Sequence, residues 1–473
     1  MNAKLLRLVC MILLFSLLTV SVSAVSDTSF TIVDGKHINT PLCYSCEQVI
    51  GYLGADGGSF LDASDLFIDG QDNIYVTDTN KNRIIQLDPD GNYVRSFTNS
   101  GNLNAPQSVF VSKNGDLFVA DTGNMRIVHL SSADEQIEVF TKPESELISD
   151  SVDFSVNKLA ISEQGLIYVV QAQQFMMIDS NNEFRGYVGA NKVGFNLREF
   201  FIRTFGSTVQ KNKAKYTQAA TYNSFAIGDD GLIYAVANDT KNQIRILNFD
   251  GDNLFPEGSY GERVMEDKST NMQDALFVDI CVDSTGVIHA LEKNSGRVYV
   301  YTPDGDMIVA YCGIGEIKDK CLTPVALDIN SKGETFVLDS ASGMIHRFTP
   351  TSYMNRLLST YNLFHEGNYT EALEKGQQIL ETDSNCYIVN TLMGRIANKQ
   401  EEYEQAMQYF KKADNKKEYA TAFTSYRHDV FRQYFGWIVC GIAALGVGIF
   451  LTILYFRKKA KQAVDVYYSG GKP

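Results

Sequence analysis

Two sets of residues in this chain have the types and spacing for chemistry. The first set stands where short apolar strands begin. Asp65 precedes Leu66-Phe-Ile68, Ser108 precedes Val109-Phe-Val111, and Lys158 precedes Leu159-Ala-Ile161. Ser224 precedes Phe225-Ala-Ile227 and Asp279 precedes Ile280-Cys-Val282, while Ala326 opens the corresponding Ala326-Leu-Asp-Ile329. Carboxylates gathered at strand ends can hold a hard cation such as Ca²⁺ or act as acid and base. Here there are two carboxylates, no Glu, and a Lys that repels a cation, so the five polar residues are candidate ligand contacts whose plainer role is strand capping. The second set is cysteine. Cys312 and Cys321 lie nine residues apart, and Cys43 and Cys46 form a Cys-x-x-Cys pair. Cys312 with Cys321 is a candidate disulfide, and Cys43-x-x-Cys46 is either a local bridge or a partner set for them. Zinc would suit two such pairs, but no His lies near Cys312 or Cys321 in sequence and the spacing fits no finger. No metal and no cofactor beyond that Ca²⁺ are expected. No Gly-x-Ser-x-Gly turn is present and the six histidines show no pairing motif, so no catalytic residue is assigned.

These residues sit in a repeated phrase. Asn73-Ile-Tyr-Val-Thr-Asp78, Arg83-Ile-Ile85 and Asp88-Pro-Asp-Gly91 return as Asp116-Leu-Phe-Val-Ala-Asp121 with Arg126-Ile-Val128, and as Gly286-Val-Ile-His289 with Pro303-Asp-Gly305. Weaker copies surround Tyr168, Tyr234 and Phe336. A strand, a polar turn, a second strand and an Asp-Gly hairpin, recurring through the chain, predict the blades of a β-propeller. Counting second strands gives six. The sixth lacks an outer strand before helical sequence begins, and Gln48-Val-Ile-Gly-Tyr-Leu-Gly54, which reads like Met307-Ile-Val-Ala-Tyr-Cys-Gly313, supplies one. That N-terminal strand should close the ring and bring Cys43 and Cys46 toward Cys312 and Cys321.

The Asp-x-x-x-x-Arg-Ile phrases at Asp78 to Ile84 and Asp121 to Ile127 resemble the NHL-repeat family of propellers. The resemblance implies that Asp78, Arg83, Asp121 and Arg126 tie turns and blades together. Gluconolactonase-like six-bladed propellers hold a divalent cation at their channel mouth with Glu, Asn and Asp, a set the positions named above do not reproduce. After Pro350, Gly367-x-Tyr369-x-x-Ala372 is echoed 34 residues later by Glu401-x-Tyr403-x-x-Ala406. That helix-turn-helix period resembles tetratricopeptide repeats.

The remaining features set location and partners. Lys4 and Arg7 before an apolar run ending at Val22-Ser23-Ala24 predict a signal peptide over 1–24. Phe435 to Phe456 carries no charge and is followed by Arg457, Lys458, Lys459 and Lys461, which predicts a single membrane span with a short cytoplasmic tail at 457–473. The expected fold is mainly β: a six-bladed propeller at 25–350 with an N-terminal closing strand, a tetratricopeptide-like helical stalk at 351–434, and a transmembrane helix at 435–456. An insert at 190–220 places Arg198, Phe201, Arg203, Lys211, Lys213 and Lys215 on a basic, aromatic segment suited to docking a partner or membrane, the alternative being that its apolar face packs on the rim of its own propeller. A net charge of −14 excludes nucleic acid as a general partner. The reading is a non-enzymatic binding or scaffold protein at the plasma membrane, its ectodomain outside, serving a membrane transport or envelope complex. A metal-dependent extracellular hydrolase or lactonase, and a surface sensor signalling through a partner, are the alternatives.

Overall fold

Short strands of alternating or continuously apolar residues need a partner sheet on each face, and in this chain they stack around an axis. A computed structural model describes residues 29–33, 35–148, 153–189, 221–265, 272–468 and 470. Two units divide the chain, Met1–Leu358 and Ser359–Pro473.

The first unit is a six-bladed β-propeller. Blade 1 comprises Ala63–Ile68, Ile74–Asp78, Arg83–Leu87 and Tyr93–Phe97; blade 2 comprises Ser108–Val111, Leu117–Asp121, Arg126–Leu130 and Gln136–Phe140. Blade 3 runs Val156–Ile161, Ile167–Gln171, Gln174–Ile178 and Phe184–Tyr187. Among the described residues blade 4 has three strands, Tyr222–Ile227, Ile233–Ala237 and Ile244–Leu247, and Leu247 pairs with Asn253 through a single bridge. Blade 5 holds Phe277–Val282, Ile288–Glu292, Arg297–Tyr301 and Met307–Cys312, extended by an N-terminal hairpin of Phe30–Val33 and Lys36–Asn39. Second strands are sandwiched between neighbouring blades, so every residue is buried in Ile74–Asp78, Ile167–Gln171, Ile233–Ala237, Ile288–Glu292 and Thr335–Asp339.

Blade 6 closes the ring. Its strands Pro324–Ile329, Thr335–Asp339 and Met344–Pro350 receive the N-terminal strand Tyr44–Ile50 as their fourth, antiparallel partner. The closing strand lies four residues earlier than Gln48–Gly54, because Tyr44 is drawn into the seam and a helical turn takes over at Gly54–Gly57. Tyr44 stacks on Tyr311 of blade 5 with centroids 4.3 Å apart, and Phe348 packs edge-on to Tyr311 at 5.3 Å. At its other end Ile50 joins Leu66, Val76, Leu338 and Ile345 in the core between blades 6 and 1. Gly91, at φ +86°, leaves room for it, since a β-carbon there would strike the Ile50 side chain.

In the second unit, helices Tyr369–Thr382, Tyr387–Lys399 and Tyr403–Lys412 pack in sequence, with Ala372 and Ala406 fully buried. Gly394 lets Phe410 approach so closely that a β-carbon would meet its ring at 2.6 Å. The last helix, Lys416–Tyr468, runs unbroken for 53 residues. It carries the end of the expected stalk, the expected span at 435–456 and the start of the expected tail on one helix, with no proline between Pro350 and Pro473 to stop it. It is long and apolar enough to cross a membrane. The expected signal peptide, and the 190–220 insert with Arg198, Phe201, Arg203, Lys211, Lys213 and Lys215, lie outside the described residues.

If closure by Tyr44–Ile50 holds the ring, truncating its anchor should be felt globally. Ile50→Ala is expected to lower the unfolding free energy by about 2–4 kcal/mol in urea titrations, as for other buried aliphatic truncations. A loss below about 0.5 kcal/mol would show that the closing strand does not contribute to the cooperative core.

Candidate functional site

The polar residues at the starts of the inner strands share a backbone device. In five blades the inner strand carries a register shift just before the position in question: between Ala63 and Asp65, Val156 and Lys158, Tyr222 and Ser224, Phe277 and Asp279, and Pro324 and Ala326. A bulge leaves one residue unpaired and re-aims the next. The unpaired residues also tie neighbours together, since Ser64 Oγ donates to Gln107 O at 2.8 Å and Asn223 Nδ2 to Phe277 O at 2.8 Å.

The strand starts bring Asp65, Ser108, Lys158, Ser224 and Asp279 into one bonded group, Ser108 from a strand in regular register. Ser108 Oγ donates to Asp65 Oδ2 at 2.6 Å, and Lys158 Nζ donates to Asp65 Oδ1 at 2.7 Å. The same ammonium lies 3.5 Å from Asp279 Oδ1, which accepts from Ser224 Oγ at 2.6 Å. Asp279 Oδ2 accepts the Leu327 N–H at 2.8 Å. Blades 1 to 6 are thus joined through two carboxylates and one ammonium. Both carboxylates and both serines are buried, and Lys158 is largely so. Burial alone would lower Lys158, but Asp279 and Asp65 outweigh it and hold the amine well above its usual range. Burial raises Asp279, against the pull of Lys158.

One carboxylate of this neighbourhood escapes a sequence reading confined to strand starts. Asp328 lies two residues beyond Ala326, on the same face of its strand, where the equivalent residues of other blades are Phe67, Phe110, Ala160, Ala226 and Cys281. Reading each strand at its second position would have found it. Asp328 Oδ2 accepts the Ile68 N–H at 2.7 Å, joining blade 6 to blade 1, and Oδ1 accepts the Ile329 N–H at 2.8 Å. The residue keeps some exposed surface, yet desolvation of its carboxyl pushes it up to about 7.

Chemically, the group is a set of mutual ties. The ammonium occupies the place between the carboxylates that a divalent ion would need, and every named carboxylate oxygen already accepts a bond. Asp78 and Asp121 behave alike at the far ends of the second strands. Asp78 Oδ2 pairs with Arg83 Nε at 2.8 Å while its Oδ1 accepts Leu61 N–H, and Asp121 Oδ2 pairs with Arg126 Nε at 2.7 Å while its Oδ1 accepts Asn104 N–H. In blades 5 and 6 the equivalents Glu292 and Asp339 accept main-chain N–H groups of the preceding loops at 2.8–2.9 Å.

The cysteines divide. Cys312 and Cys321 face each other with Sγ atoms 3.7 Å apart, and contact with Cys312, together with burial, pushes the Cys321 thiol up. Cys46 and Cys312 both line a cavity of about 130 Å³ with Tyr44, Tyr311, Asp319 and Phe348. Cys43 Sγ lies 3.3 Å from Pro41 O and Cys46 Sγ 3.5 Å from Gln48 O. The chain distance from Cys321 to His346 hid the nearest histidine, which the third strand of blade 6 carries to this cluster.

Residues 103–130, from the loop before blade 2 through its third strand, match the NHL repeat. No curated protein matches the chain. Among solved structures, a streptogramin B lyase is similar at 15% identity over 67% of this chain and 83% of its own, with a TM-score of 0.40. The virginiamycin B lyase of Staphylococcus aureus is similar at 10% identity, over 65% of this chain and 99% of its own, with a TM-score of 0.39. A protein described as a putative gluconolactonase is similar at 13% identity, over 64% and 92%, with a TM-score of 0.41.

Two measurements test the axis. Lys158→Met strands two buried carboxylates and should cost about 3–5 kcal/mol of stability, most of it recovered when Asp65→Asn and Asp279→Asn are added; failure of the triple variant to recover would refute the charge pairing. The folded chain holds the Asp328 proton to about pH 7, whereas an unfolded carboxyl releases it near its ordinary 3.8. The folded state therefore binds more protons between those values, and this group makes stability fall as pH rises from about 4 to 7. Asp328→Asn should flatten that part of the Tm–pH profile, and an unchanged slope would show that another group sets it.

Proposed function

We propose that this protein is a non-enzymatic, membrane-anchored scaffold whose propeller and helical repeats dock a membrane transport or envelope complex outside the cytoplasm. The observation that carries the reading is Lys158, whose ammonium bridges Asp65 and Asp279 where an enzyme of this architecture would keep a vacant metal position. A buried ion triad of this kind stabilises a disc. It offers a substrate neither an exposed nucleophile nor an open coordination site. The helical unit supports the same reading, because Ala372, Gly376, Gly394 and Ala406 allow close helix packing of the kind that tetratricopeptide-like repeats use to present surfaces. The apolar stretch 435–456, with Trp437 at one end and Arg457 to Lys461 at the other, fits a single span with its C-terminus in the cytoplasm.

Crosslinking in intact cells, with the full chain as bait, is expected to recover integral-membrane subunits of one assembly, and recovery should drop on deletion of residues 191–215 from a chain that stays folded. The reading is overturned if the purified chain hydrolyses lactones or esters with a divalent cation and loses that turnover, but not its fold, in Asp279→Asn.

A further inference from the structure

Blade 6 carries a second cluster of reactive groups that the axis does not use, and it lies beside the closing seam. Cys312 ends the outer strand of blade 5 at φ +67°, a left-handed conformation that side chains rarely adopt. The loop that follows returns on itself at Cys321, whose N–H donates to Gly313 O at 2.9 Å. Cys321, Asp339 and His346 are all buried, and one donor atom from each lies within 4.8 Å of the others.

The chemistry of these donors is specific. His346 Nδ1 lies 3.0 Å from Lys318 O, and a carbonyl can only accept, so Nδ1 carries the ring proton. Nε2 is left with a lone pair, buried and without a hydrogen-bond partner. A fixed tautomer held by a main-chain carbonyl is the arrangement of a metal-ligating imidazole. Asp339 is oriented in the same way: its Oδ2 accepts from Leu322 N–H and Ser342 Oγ, and its Oδ1 from Thr323 N–H. Two thiolates on a tetrahedral zinc ion, each about 2.3 Å from the metal, lie about 3.8 Å apart. The sulfurs of Cys312 and Cys321 are 3.7 Å apart.

We propose that Cys321, His346 and Asp339, whose donor atoms already lie together, bind a divalent cation of the zinc class, that Cys312 turns in from its place beside Cys321 as the fourth ligand, and that the ion pins the loop between blades 5 and 6 against the ring closure. Two sulfurs, one imidazole nitrogen and one carboxylate oxygen make a borderline-soft tetrahedral set that favours such an ion over Ca²⁺ or Mg²⁺. Binding displaces the two thiol protons to solvent, so no oxidant or reductant is needed. The ion would be structural, distinct from any chemistry at the axis, and the inference stands or falls independently of the scaffold reading.

The test uses the full chain purified in detergent without chelator. Elemental analysis is expected to find about one zinc per chain, lost in Cys321→Ser and in His346→Gln, and cobalt in its place should give the intense thiolate-to-metal absorption band. Should the variants fail to fold, blocking the thiols of the wild-type chain with a mercurial must release that zinc to an indicator dye. A wild-type chain that takes up no zinc or cobalt overturns the proposal. So does peptide mapping that finds Cys312 and Cys321 joined as a disulfide in chain isolated from cells.

Discussion

Ring closure is the constraint on which this molecule depends. A blade of four short strands has two apolar faces and can bury both only between two other blades. Five blades come from consecutive sequence, but the sixth has three strands of its own and borrows Tyr44–Ile50 from the N-terminal side. The borrowed strand therefore does more than add hydrogen bonds. Tyr44 fills the seam toward blade 5, Ile50 fills the seam toward blade 1, and the first and last parts of the propeller become one cooperative unit.

The axis solves a second problem that closure creates. Bringing six strand starts together concentrates backbone dipoles and side chains where water is scarce, and two carboxylates there would repel each other. Lys158 answers with one ammonium shared between Asp65 and Asp279, while Ser108, Ser224 and main-chain N–H groups take the remaining lone pairs. Removing one partner of such a group is far more costly than never having built it. Carboxylates alone do not make a metal site; an unfilled place between them does.

Much of this was legible in the chain. The Asp78–Arg83 and Asp121–Arg126 spacings announced the strand–turn–strand unit, and the structure shows why those types recur: each Asp accepts from a loop N–H while holding its Arg. Aligning the apolar strands also identified all five polar residues of the axis, because a repeating fold puts equivalent positions at equivalent places. Their partners were not legible. The bulges before Asp65, Lys158, Ser224 and Asp279 set which way each side chain points, and no residue type at those sites signals them. Asp328 lies two residues beyond the strand start, where the other blades carry apolar residues, and only the fold brings it to this group.

The sequence by itself determined what is local or periodic: six strand repeats, a missing outer strand, a helical C-terminal segment and one apolar stretch of membrane length. Period, burial pattern and turn chemistry act over a few residues, so they can be read without knowing the fold. Tertiary structure alone decided which distant groups meet. It placed Lys158 between carboxylates 93 residues before and 121 after it in the chain, and it brought His346 to Cys321, whose sequence neighbourhood contains no histidine. Those encounters depend on how the ring closes, and closure is a property of the whole circle of blades that no single segment encodes.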